Sequence, residues 1–121
     1  MTRAGAVLVQ GCQRPQARLV TRGKALEADY TRTMVDALIA IGWLACHHPD
    51  SRKLVGKPGL PDIIAARAGR LVFIEMKLRN GRRSNAQDYW RVQLTQAGAE
   101  YFYCIAPDDM DEVLKAMGAK K

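Results

Sequence analysis

Asp62, Glu75 and Lys77 are the residues of this chain whose types and spacing could do chemistry. Two apolar runs rich in β-branched residues, 63–67 and 71–77, flank Ala68-Gly69, a pattern that predicts a β-hairpin. Folding that hairpin symmetrically about its turn sets Asp62 opposite Glu75. Cross-strand partners bring their Cβ atoms to roughly 4.5–5.5 Å, so two carboxylates would share one small space. Strand side chains alternate faces, which puts Lys77 beside Glu75 and turns Met76 into the core. Two acids this close repel and raise one another's pKa, and a divalent cation resolves the conflict. Mg²⁺ is typically held by one or two carboxylates, with waters and a substrate phosphate as its other ligands. An adjacent lysine can orient or deprotonate a metal-bound water, or stabilise charge on the phosphate. An ordinary surface hairpin with solvated charges would also carry Glu-x-Lys. It would not need an Asp in register behind a proline, nor the apolar approach Leu71-Val72-Phe73-Ile74. The stretch reads as a metal site for phosphodiester chemistry.

The elements that must position these residues follow from periodicity. Leu26, Tyr30, Met34, Leu38 and Ile41 recur at helical spacing, predicting a helix over 25–41 that Gly42 ends. Glu27 then falls in its first turn, where a carboxylate favours the positive end of the helix dipole; a place at the metal site is the other reading of that residue. Residues 43–47 form a short strand, and a polar loop of two prolines and two glycines, 48–59, leads into Asp62. A loop this long in a compact domain suggests function. Its His48 is either a surface histidine or a catalytic base. After the hairpin comes a basic loop, 78–83. Ser84 with Gln87 three residues later forms a capping box, opening a helix whose stripe is Ala86, Trp90, Leu94 and Ala97. Gln87 thus has a structural reason to exist and also stands where it could face the site. Residues 100–105 are a fourth strand, and Pro107-Asp108-Asp109 opens a last short helix. A helix between the third and fourth strands permits a parallel crossover, so the expectation is an α/β fold, αβββαβ(α), with a mixed four-stranded sheet flanked by helices.

At 121 residues the chain is expected to be one domain that needs no disulfide or structural metal. Residues 1–24 hold five basic groups and no acid, lack periodicity, and are expected to be a poorly ordered basic arm. Residues 25–118 would be the folded domain and 119–121 a frayed tail. The net charge of +7 is concentrated: residues 52–91 carry ten basic side chains against three acids, two of which are Asp62 and Glu75. A cationic surround suits a polyanionic substrate. Cys12, Cys46 and Cys104 are odd in number and widely spaced, as expected of reduced, buried thiols in a cytoplasmic protein. Cys46-His47-His48 lacks a second ligand pair for zinc, and no apolar run is long enough to span a bilayer.

The strand order with its acids resembles the restriction-endonuclease-like nucleases of the PD-(D/E)xK superfamily, whose signature is matched by Pro61-Asp62 and Glu75-x-Lys77. Ala40-Ile41-Gly42-Trp43-Leu44, His48, Asp50-Ser51-Arg52, Gly59-x-Pro61-Asp62, Glu75-Met76-Lys77, Gln87-x-x-Trp90 and Ala97-Gly98-Ala99-Glu100 are similar, in this order, to the VRR-NUC family. The resemblance covers about residues 27–113. It implies a Mg²⁺- or Mn²⁺-dependent nuclease in which Asp62 and Glu75 bind metal, Lys77 assists the attacking water, Gln87 supports the site and Glu27 adds a further carboxylate. Small stand-alone members occur in bacteriophage and bacterial genomes and are thought to act on branched DNA, including Holliday junctions, as homodimers. The N-terminal arm and the unusually basic loop after Lys77 depart from that pattern.

The expectation is therefore an endonuclease hydrolysing DNA phosphodiesters. Asp62, Glu75 and the Met76 backbone carbonyl would hold metal. Arg52, Lys53, Lys57, Arg79, Arg82 and Arg83 would track the DNA backbone, giving salt-dependent affinity without reading sequence. The alternatives are a non-catalytic nucleic-acid-binding module, or a subunit of a larger nuclease or packaging assembly.

Overall fold

A computed structural model describes residues 22–50 and 53–119. In chain order they form α1 (Arg22–Ala40), β1 (Leu44–His47), β2 (Ile63–Arg67), β3 (Arg70–Leu78), α2 (Asn85–Gln96), β4 (Glu100–Ala106) and α3 (Met110–Ala116). The strands make one open sheet in the order β1-β2-β3-β4. β1–β2 and β2–β3 pair antiparallel and β3–β4 parallel, so the sheet is mixed as expected, with α2 supplying the crossover.

The β2–β3 register is the symmetric one: Ile63 faces Ile74, Ala65 faces Val72 and Arg67 faces Arg70. Ala68 and Gly69 join the strands with φ of 51° and 82°, the two positive values that a twist-matched hairpin turn requires. One face of the sheet is the core. Ile63, Ala65, Val72, Ile74, Met76, Cys104 and Ala106 pack there against Met34, Val35 and Leu38 of α1, Met110 and Val113 of α3, and Met117 just after it. Trp43 closes this core, its indole N–H donating to the Met117 carbonyl at 2.7 Å. Arg70 stacks over Trp43, 5.1 Å from the ring centre, and grips both oxygens of Glu100 at 2.7 Å.

Three local expectations are corrected. α1 begins at Arg22, so Glu27 lies in its second turn and the helix dipole does not explain it, since that effect fades beyond the first turn. Leu26, expected on the buried stripe, is exposed; full burial starts at Thr31 and runs through Met34, Val35 and Leu38. Cys46 is exposed rather than buried, because it projects from β1 on the side away from that core, while Cys104 is buried among core residues. The arm at 1–21, Cys12, Arg52 and residues 120–121 lie outside the described residues. No described helix is long and apolar enough to cross a membrane.

Candidate active site

Asp62 stands one residue before β2, where the regular ladder has stopped, and is held from both sides. Its backbone carbonyl accepts the His48 N–H at 3.3 Å, extending the β1 pairing. Its carboxylate accepts the Met76 N–H at 2.9 Å, replacing the backbone acceptor that β2 no longer supplies to β3. Asp62 is half-buried, and burial raises its pKa, with the Met76 N–H and the nearby His48 and Lys77 opposing that rise.

Glu75 sits on β3 between Ile74 and Met76, both core residues, yet points to the other face, as strand alternation demands. It is 1% exposed. One oxygen, Oε2, accepts from the Gln87 amide nitrogen at 2.8 Å and lies 3.7 Å from the Lys77 ammonium. The other, Oε1, is buried with no hydrogen-bond partner. Burial, reinforced by the repulsion of Asp62 and, more weakly, Glu27, pushes the carboxyl up to about 8 despite Lys77. The influence of Glu27 places it within electrostatic range of the pair.

Gln87 reaches Glu75 because the expected capping box forms. The Ser84 hydroxyl accepts the Gln87 N–H at 3.1 Å, and the Gln87 side-chain oxygen accepts the Ser84 N–H at 2.9 Å. With its oxygen turned to the helix start, the amide nitrogen faces Glu75. One side chain therefore caps α2 and aligns a carboxylate.

The loop before Asp62 is pinned by residues whose roles spacing does not reveal. The Trp90 indole N–H donates to the Pro58 carbonyl at 2.9 Å. Gly59 has a φ of +104°, and a Cβ there would come within 2.6 Å of the Ala86 backbone. Gly59→Ala is therefore expected to combine backbone strain with a clash that no side-chain rotation relieves. The expected cost is about 1–3 kcal/mol, measured as a shift in the chemical-denaturation midpoint against wild type. Tyr101 was likewise unforeseen: its hydroxyl is buried, unpartnered, and pushed up to about 12 by burial and by Glu75.

The basic residues divide. Lys53, Lys57 and Arg82 are exposed. Arg79 is engaged by Asp108 at 2.7 Å, and Arg83 by Asp88 at 3.3 Å while lying over the Tyr103 ring. Such exposed ion pairs are worth little and exchange readily for another anion.

Among the described residues no group of three His, Cys, Asp or Glu side chains could enclose a metal. The chemistry of the site nonetheless fits a hard cation. Two carboxylates meet, and a buried carboxylate oxygen has no protein donor, which suits an ion that keeps several waters and takes only one or two carboxylates from the protein.

A family model for the archaeal Holliday junction resolvase (Hjc) matches residues 20–89, a span that includes Asp62, Glu75, Lys77 and Gln87. Among solved structures, one described as a VRR_NUC domain superimposes with a TM-score of 0.62 at 20% identity, covering 74% of this chain and 94% of that one. No curated protein sequence matches. The fold is thus the restriction-endonuclease-like one expected, and, with more than half its length matched to the family model, the chain belongs to the archaeal Holliday junction resolvase (Hjc) family.

Proposed function

We propose that this chain is a Mg²⁺- or Mn²⁺-dependent endonuclease that hydrolyses phosphodiesters in branched DNA such as Holliday junctions, acting in the cytoplasm as a homodimer. The observation that carries the reading is the buried Glu75 carboxylate, one oxygen held by Gln87 and the other left without a donor, beside Asp62. A protein gains nothing by burying two repelling acids unless a cation is to join them. Membership of a family named for junction resolution supports a structure-specific DNA nuclease.

Asp62, Glu75 and the Met76 carbonyl would hold the metal, with Glu27 a further carboxylate within electrostatic range. Bound there, a divalent cation supplies an activated water and neutralises charge on the scissile phosphate. Lys77, 3.7 Å from Glu75, would assist the attacking water. Gln87 keeps Glu75 from rotating. Lys53, Lys57 and Arg82, joined by Arg52 and by Arg79 and Arg83 when phosphate displaces their carboxylates, would follow the backbone. Leu44, Ile64 and Leu71 are exposed on the sheet face away from α1, an apolar area that a second copy would remove from water.

The test is cleavage of labelled four-way junction, flap and linear duplex with Mg²⁺, Mn²⁺ or EDTA, beside Lys77→Ala. The expected result is metal-dependent cutting, preferring the branched substrates and lost in the variant. Salt-sensitive binding with no cutting under either metal would favour the binding-module or missing-partner alternatives.

A further inference from the structure

We propose that His48 is a positioning residue for the metal site, holding the turn that delivers Asp62; the proposal rests on the metal-dependent reading above. His48 follows directly on β1 and touches the approach to Asp62 twice. Its backbone N–H donates to the Asp62 carbonyl. Its ring Nε2 lies 2.9 Å from the Pro61 carbonyl and 3.2 Å from the Leu60 carbonyl. Carbonyl oxygens cannot donate, so Nε2 carries the proton and is shared between them. Nδ1 is buried without a partner. With Nε2 committed to two carbonyls and Nδ1 closed off from solvent, neither ring nitrogen is open to a substrate or a water. The catalytic-base reading of His48 gives way to a mechanical one.

What the ring holds is specific. Residues 53–58 of the preceding loop are exposed, whereas Gly59 and Pro61 are buried. Trp90 and the Ala86 backbone grip the turn from α2, at Pro58 and Gly59. His48 grips it from the sheet side at Leu60 and Pro61, the last two residues before the metal ligand. Removing the ring donor leaves two half-buried carbonyls unsatisfied and frees the peptide that fixes the direction of the Asp62 side chain. The contact that reports this directly is the Met76 N–H on the Asp62 carboxylate, 2.9 Å long. Groups that orient a metal ligand typically contribute about 10–100-fold to metal affinity.

The variants are His48→Leu, which removes the donor, and His48→Gln, whose side-chain amide can place an N–H where Nε2 stood. Two readouts are taken on the full chain: Mn²⁺ affinity by calorimetry without DNA, and amide exchange of Met76 in the metal-free protein. His48→Leu should weaken Mn²⁺ binding about 10–100-fold and speed exchange at Met76 while leaving the amides of Val72 and Ile74 unchanged. His48→Gln should restore most of both. Uniformly faster exchange along β3 would mean general destabilisation and would overturn the proposal, as would wild-type Mn²⁺ affinity in His48→Leu, or equal defects in the two variants. If His48→Leu does not fold, His48→Asn, too short to reach Pro61, takes its place with the same expectations. Should the wild-type chain bind no Mn²⁺ and cut no DNA, the functional reading fails, and Met76 exchange still decides whether His48 holds Asp62.

Discussion

Asp62→Asn should abolish junction cleavage while leaving DNA binding intact or tighter. An asparagine oxygen can still accept the Met76 N–H that Asp62 receives at 2.9 Å, so the turn and the fold are retained. What disappears is one of the two charges that make the site attractive to a divalent cation. Removing a single preorganised electrostatic group commonly costs roughly 3–4 kcal/mol of transition-state stabilisation, or about 10²–10³ in rate. If Asp62 holds the metal as proposed, its loss should sit at or beyond the upper end. Binding responds in the opposite direction, because a carboxylate beside the phosphate path repels DNA and the neutral amide does not. Single-turnover cleavage at saturating enzyme, with gel-shift titration in EDTA, separates the two effects. A variant that cuts at the wild-type rate would sink the assignment of Asp62.

Glu75→Gln should flatten the pH dependence of stability in the metal-free protein. Burial above all, with Asp62 adding repulsion, raises the Glu75 carboxyl from 4.5 to about 8. Between those values the native state holds a proton that the unfolded chain has released, so unfolding free energy falls as pH rises. The contribution is fully present below 4.5 and lost as pH climbs through about 8, a swing of roughly 3–5 kcal/mol. The raised pKa of Asp62 acts with the same sign. A divalent cation competes with that proton, so its affinity should rise towards pH 8 and its binding should release a proton and restore the lost stability. Glutamine keeps the shape and a group for Gln87 to bond but does not titrate. In EDTA the variant should outlast wild type above pH 8, show a flatter pH profile, gain nothing in thermal midpoint from Mg²⁺, and fail to cut. Midpoints measured from pH 5 to 9 with and without Mg²⁺ check this. Identical profiles for the two proteins would show that Glu75 is not the group held protonated.

How much of this was legible in the sequence depends on how far along the chain each contact reaches. The hairpin was readable because alternation and a two-residue turn fix its register locally. Once Ile63 faces Ile74, Asp62 and Glu75 have no choice but to converge. The capping box of Ser84 and Gln87 spans three residues and was equally plain. Its second use, presenting the amide to Glu75, required only that α2 follow β3 closely. The resemblance of these motifs to a nuclease family anticipated the fold that superposition supports.

The rest was decided in three dimensions. His48 and Pro61 are thirteen residues apart, and Trp90 and Pro58 thirty-two, and no periodicity links partners across a loop whose path is free in the unfolded chain. The helix dipole would explain Glu27 in a first turn, but α1 starts at Arg22 and leaves it a turn inward, and only the packing of α1 on the sheet brings its charge near Glu75. The exposure of Cys46, and the engagement of Arg79 and Arg83 by Asp108 and Asp88, likewise follow from which face each element covers. The chain's own pattern of residues determined which acids meet, through the period of a strand and the geometry of a turn. Tertiary packing alone determined how firmly they are held and how far their protons are shifted, because desolvation and non-local hydrogen bonds exist only once distant segments close around the site.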